Sequence, residues 1–210
     1  MQYRIARAAA ALATLLAIPA LADDQPAGAA KAAICAACHG PTGLSASPEW
    51  PNLAGQHEEY VREHLSLFRA QVRGNPVMQA QAQALNAADD QDVAHYYASQ
   101  TPTGLEADPS LWAAGQKLYR AGDADHGIPG CFACHGPDGR GNGPARWPAL
   151  RAQRSVYVYA QLKAYAAKTR YTPVSGKPAP PDQAAMMDTI AGRMSDDQMK
   201  AVASYVQGLR

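Results

Sequence analysis

Cys35-Ala36-Ala37-Cys38-His39 and Cys131-Phe132-Ala133-Cys134-His135 are two copies of one five-residue pattern. Cys-x-x-Cys-His is the attachment signature of c-type haem. Two thiols about one helical turn apart can each add to a vinyl group of the same porphyrin, and the adjoining histidine then reaches the iron from one side. A dithiol redox pair and half of a zinc site are the competing readings. Zinc is weakened by the long gap between the two Cys pairs, and a thioredoxin-like site needs neither the histidine nor a second copy. The expected cofactors are two covalently bound haem c groups. Cys35, Cys38, Cys131 and Cys134 would hold them, with His39 and His135 as axial ligands. These are all the cysteines of the chain, so none is left for a disulfide.

The repetition extends well past the motif. Cys38-His39-Gly40-Pro41 matches Cys134-His135-Gly136-Pro137, and Trp50-Pro51-Asn52-Leu53-Ala54-Gly55-Gln56 matches Trp147-Pro148-Ala149-Leu150-Arg151-Ala152-Gln153. Tyr60 matches Tyr157, Leu65 matches Leu162 and Phe68 matches Tyr165. The offset is 96 at the cysteines, 97 from Trp50 onward, and 109 where Tyr96 matches Tyr205. The second copy therefore carries about twelve extra residues, expected after Lys168, and the Pro- and Gly-rich run Thr172 to Pro181 reads as a surface loop.

The pattern within each copy is helical. Residues 27–37 and 111–121 precede the haem motifs as short helices. Residues 58–71 and 155–168 have apolar side chains at three- and four-residue spacing, as amphipathic helices do. Residues 89–99 and 195–208 are closing helices with Asp89 and Ser195 as N-caps. The stretches Gly40 to Leu53 and Gly136 to Leu150 are rich in Gly and Pro and should wrap the haem edge. The expected architecture is all-α, a tandem of two domains related by the internal repeat. Domain 1 covers residues 23–100, a linker containing Pro102, Gly104 and Pro109 covers 101–110, and domain 2 covers 111–210.

A haem iron with one histidine needs a sixth ligand or keeps an open site, and that choice separates an electron carrier from an oxygen or peroxide enzyme. Met78 lies seven residues before Leu85, and Met187 lies seven before Met194, at the same 109 offset as the closing helices. Met78 and Met187 are therefore the expected sixth ligands, against the alternative of plain core packing. Met186 competes with its neighbour, whereas Met194 fits core because its counterpart is a leucine. His57, His64, His95 and His126 have no histidine counterpart in the other copy and read as packed or exposed side chains.

Arg4 and Arg7, the apolar stretch Ala8 to Ile18 and the Ala20-Leu21-Ala22 cleavage site make residues 1–22 a signal peptide, with an uncleaved anchor as the alternative. Export places the protein in the periplasm. Formal charge is +1 for the whole chain and −1 without Arg4 and Arg7. That small total hides a dipole. Asp23 to Gly104 holds nine acids and four bases, net −5, and Leu105 to Arg210 holds nine acids and thirteen bases, net +4. Arg140, Arg146, Arg151 and Arg154 form a basic stretch beside the second motif, read as a solvated face, propionate partners or a steering patch for an acidic partner. Trp50-Pro51 and Trp147-Pro148 are expected to wall the porphyrins. No paired carboxylates, nucleophile elbow, phosphate loop or nucleic-acid-binding pattern appears.

Taken together, these motifs resemble the dihaem cytochrome c4 family of periplasmic electron carriers. The likeness runs from about Ala27 to Leu209 through Cys35-x-x-Cys38-His39-Gly40, Pro51-x-Leu53-Ala54-Gly55-Gln56, Met78, Cys131-x-x-Cys134-His135, Pro148-x-Leu150, Met187 and Ser204-Tyr205-Val206-Gln207-Gly208-Leu209. The resemblance implies two class I cytochrome c domains with haems close across a pseudo-twofold interface. It also implies transfer from a respiratory electron donor to a terminal haem–copper oxidase, often with peripheral membrane association, and no small-molecule substrate. Arg151-Ala152-Gln153 departs from Ala54-Gly55-Gln56 and leaves the turn there open. The competing functions are a cytochrome subunit of a periplasmic dehydrogenase and a dihaem peroxidase.

Overall fold

A helix that crosses another at very close range needs a residue without a side chain at the crossing, and both halves of this chain supply one. The computed structural model describes residues 25–210, so the signal peptide expected over residues 1–22 lies outside the described residues. In the first half, α1 (Gln25–Ala32) packs on the closing helix α5 (Ala87–Ala98). A Cβ on Gly28 would sit 2.4 Å from the Asp92 carbonyl oxygen. In the second half, α6 (Pro109–Ala121) packs on α10 (Asp196–Gly208), and a Cβ on Gly115 would sit 2.3 Å from the Ala201 carbonyl oxygen. Asp92 and Ala201 are partners at the 109 offset, so the two crossings are the same joint built twice.

The remaining helices repeat likewise. The haem motifs form α2 (Ala36–His39) and α7 (Phe132–His135), and the amphipathic helices are α3 (Glu58–Arg69) and α8 (Ser155–Ala166). Both amphipathic helices end two residues before a residue with positive φ, Gln71 at 63° and Lys168 at 54°, partners at offset 97. The methionines lie on α4 (Pro76–Gln83) and α9 (Asp182–Ala191), two helices the sequence pattern did not reveal. Among the described residues there are no strands, only isolated bridges such as Arg73 with Tyr171.

Three boundaries differ from expectation. The N-cap of α5 is Asn86, whose side chain accepts from the Ala88 and Asp89 amides, while Asp89 reaches back to the Asn86 amide as the third residue of a capping box. Pro109 is the first residue of α6, where its missing N–H costs nothing, with Asp108 as cap. The 97 offset persists through Arg73 and Arg170, which occupy matched places, so the extra residues follow Arg170 rather than Lys168. The segment after it is irregular and mostly exposed, as expected of a surface loop, and its start is anchored to the first half. Tyr171 and Val174 pack on Leu67, Ala70 and Val72, and the Thr172 amide donates to the Val72 carbonyl at 2.8 Å.

The two halves meet reciprocally, as a twofold interface requires. Arg73 donates to the Tyr157 hydroxyl at 2.8 Å and lies over the Phe68 ring, and Arg170 donates to the Tyr60 hydroxyl at 3.1 Å and lies over the Tyr165 ring. Every one of these pairs maps onto the other at offset 97. At the rim Arg146 pairs with Glu63, and a His57 ring nitrogen donates to the Arg140 carbonyl.

Candidate haem sites

Each haem motif winds into a single turn. The His39 amide donates to the Cys35 carbonyl at 2.9 Å, and the His135 amide to the Cys131 carbonyl at 2.9 Å. One turn brings the two thiols of a pair to neighbouring places with the histidine directly after them, as double thioether attachment requires. Burial pushes the Cys35 thiol up, and the Cys131 thiol up to about 11.

Both histidines are buried, and both are fixed by the same hydrogen bond. His39 Nδ1 donates to the Pro51 carbonyl at 2.9 Å, and His135 Nδ1 donates to the Pro148 carbonyl at 3.0 Å. A carbonyl can only accept, so the proton sits on Nδ1 and the Nε2 lone pair is left for a metal. Burial holds both rings below the ordinary imidazole pKa, outweighing the proline carbonyls that act the other way, so both stay neutral, the form that ligates. The sequence pointed to Trp50-Pro51 and Trp147-Pro148 as walls. The structure adds that their proline carbonyls orient His39 and His135, which residue identity could not reveal because the group is backbone. Trp50 itself is 44% exposed.

The loop that brings each proline to its histidine is also built twice. Leu53 and Ala54 amides donate to the Gly43 carbonyl at 2.8 and 3.1 Å, and Leu150 and Arg151 amides donate to the Gly139 carbonyl at 2.7 and 3.0 Å. The turn at Arg151-Ala152-Gln153 thus keeps the hydrogen bonds of Ala54 and Gln56 despite its different residues, while its middle amide, Ala152, donates to the Leu209 carbonyl where Gly55 donates to that of Tyr97. The halves differ nearer the motif, where Ser45 donates to the Cys38 carbonyl and Asn142 pairs with Trp147.

Met78 lies in the first turn of α4, its amide held by the Asn75 side chain, and packs with Leu85 on Val61, Leu65, Phe68, Ala82 and Ala94. Met187 lies on α9 and packs, with Met194, on the larger core of the second half. Met186 is 47% exposed. The other histidines are placed elsewhere. His64 is buried between Tyr60 and Tyr171, while His57, His95 and His126 bond to Arg140, Glu58 and Asp123.

The donor set suits haem in a further respect. Buried nitrogens of Arg151, Arg154 and Arg170 have no hydrogen-bond partner among the described residues. Guanidinium groups take acceptors of the kind that haem propionates supply. Of the basic stretch seen in the sequence, Arg140 and Arg146 instead pair with Asp138 and Glu63. Arg73 and Arg170 were missed by sequence reasoning. Their shared offset was the available signal.

The sequence model of the Cytochrome c family matches residues 27–101 and again residues 112–210. The chain is 42% identical over 195 residues to cytochrome c4 of Thiocapsa roseopersicina, across 92% of this chain and 96% of that one. The chain belongs to the cytochrome c4 family. The crystal structure of reduced recombinant cytochrome c4 from Pseudomonas stutzeri superposes with a TM-score of 0.81 at 35% identity, covering 90% of this chain and 100% of that one. A protein named thiosulfate dehydrogenase electron acceptor, from Thiomonas intermedia, is 38% identical across 84% of this chain and 78% of its own length. The fold is therefore two cytochrome c domains, and the two Cys-x-x-Cys-His motifs carry two covalent haem c groups.

Proposed function

We propose that the chain is a periplasmic relay that takes electrons from a respiratory donor and passes them to a terminal haem–copper oxidase, with His39 and Met78 as axial ligands of one haem and His135 and Met187 of the other. As a member of the cytochrome c4 family it carries electrons and is not an enzyme. Haem iron held by histidine and thioether takes up and releases one electron, and the thioether raises its potential. The observation that carries the ligand assignment is the paired geometry. Two neutral histidines are fixed through Nδ1 by proline carbonyls, and two matched methionines sit on the cores beside them. The exposure of Met186 supports Met187 in the second domain.

The protein's own contribution is orientation and partner choice. The Nδ1–H bonds hold each imidazole in one tautomer, and a net −5 first half (Asp23 to Gly104) beside a net +4 second half (Leu105 to Arg210) offers two different faces to two partners. No described helix is long and apolar enough to cross a membrane, and the proposed membrane association is peripheral. A second reading, electron acceptor for a periplasmic dehydrogenase, is favoured by the likeness to the Thiomonas protein. Stopped-flow oxidation of the reduced protein by oxidase-containing membranes, run at several salt concentrations beside a peroxide assay, tests the relay. Rapid, salt-sensitive oxidation with negligible peroxide turnover is expected. No oxidation by membranes, with reduction by a co-purifying dehydrogenase, supports the second reading.

A further inference from the structure

The hydrogen bonds that orient the histidines do not end at the proline carbonyls. The peptide joining Pro51 to Asn52 accepts from His39 Nδ1 through its C=O, and through its N–H it donates to Gln153 Oε1 at 2.7 Å. The peptide joining Pro148 to Ala149 accepts from His135 Nδ1 and donates to Gln56 Oε1 at 2.9 Å. Gln153 lies in the second domain and Gln56 in the first. Each amide also closes a ring by donating back, Gln153 Nε2 to the Asn52 carbonyl at 2.9 Å and Gln56 Nε2 to the Ala149 carbonyl at 3.0 Å. Both glutamines are buried, at 7% exposure each. Asn52 and Ala149, like Gln56 and Gln153, are partners at offset 97, so the clasp is one reciprocal device used in both directions.

We propose that each haem is tuned from the opposite domain, with Gln153 acting as positioning residue for His39 and Gln56 for His135. The peptide is a conjugated unit. An acceptor on its N–H polarises it and makes its carbonyl a stronger acceptor, and in a dry interface chained hydrogen bonds reinforce one another. A stronger bond from Nδ1–H makes the imidazole a more basic ligand, which favours ferric iron and lowers the potential. Docking of the domains is thereby written into both haems. Loosening the clasp on one side raises the potential of the haem across the interface and leaves the near one unchanged. The inference rests on His39 and His135 being the axial ligands.

The test uses the full dihaem protein with Gln153→Leu and Gln56→Leu. Redox titration followed by proton NMR gives each haem's potential separately, the reduced protein reports the two His Nδ1–H resonances, and small-angle scattering reports docking. Gln153→Leu is expected to favour reduction of the first-domain haem about threefold, about 28 mV at 59 mV per tenfold for one electron, and to move the His39 resonance upfield. Gln56→Leu should do the same to the second-domain haem and His135 alone. Gln153→Glu keeps an acceptor for the Asn52 amide, so the His39 resonance should stay at least as far downfield as in the parent even where the leucine variant folds poorly. A shift in the near haem, equal shifts in both, no shift while the domains stay docked, or loss of the resonance in Gln153→Glu overturns the proposal. A parent protein lacking histidine-ligated low-spin haem overturns the ligand assignment instead, so the two failures are told apart.

Discussion

In the second domain Leu118, Tyr119, Ile128, Val158, Leu162, Met199, Val202, Tyr205 and Val206 form one continuous buried cluster. In the first domain the buried residues fall into smaller groups, Val61, Leu65, Phe68, Ala82 and Ala94 in one, and Ala32, Val93 and Tyr97 in another. A third group, Leu67, Ala70 and Val72, is completed only by Tyr171 and Val174 from the second domain. The first domain thus buries less apolar surface by itself and depends more on its porphyrin and its neighbour. One histidine geometry is held by two cores of unequal size, and the shared interface makes up part of the difference.

The largest effects are expected at the helix crossings. Gly28→Ala and Gly115→Ala each drive a methyl group into a backbone carbonyl and should cost about 3 kcal/mol. Thermal unfolding followed at the haem bands should show the first domain giving way earlier in Gly28→Ala. Equal tolerance in both domains would remove the asymmetry. Next come the thioethers. Met78→Ala and Met187→Ala should each lose half of the near-infrared sulfur-to-iron band and about 2 kcal/mol of stability, while Met186→Ala keeps the whole band. Loss of the band in Met186→Ala would reassign the second ligand.

A smaller effect separates His64 from its counterpart Gln161. Burial, aided by Arg73 and Arg170, holds His64 well below the usual imidazole pKa of 6.5, so it stays neutral in the folded protein. The unfolded chain takes up a proton below that value and the folded one does not. Stability should therefore fall as pH drops below 6.5, by at most about 1.4 kcal/mol per pH unit from this group. Denaturant midpoints at pH 7.5 and 5.5 should draw together in His64→Gln. The smallest change is expected for Glu63→Gln, which breaks the interdomain pair with half-exposed Arg146. It should cost under about 1 kcal/mol, and less at high salt.

What could be read in the sequence was whatever repeats as side chains. The paired Cys-x-x-Cys-His motifs, the amphipathic pattern of α3 and α8 and the matched methionines all have residue-level signals. The proline carbonyls that orient His39 and His135 are backbone, and nothing in a proline's identity announces them. Helices α4 and α9 are short, at 8 and 10 residues, and Ala-, Gln- and Met-rich, with no clear apolar stripe. Gln56 and Gln153 were visible as matched residues, but a polar side chain at a matched place shows its role only when its partner across the interface is known.

The central claim is two six-coordinate histidine–methionine haems in one chain. It is tested most directly by anaerobic redox titration of the intact protein, followed together at the haem α-band and the near-infrared sulfur-to-iron band. The account predicts uptake of two electrons per chain in one-electron steps, with the near-infrared band at full strength for two haems when oxidised and lost on reduction. Uptake of a single electron, or an oxidised band at half strength or absent, would contradict it.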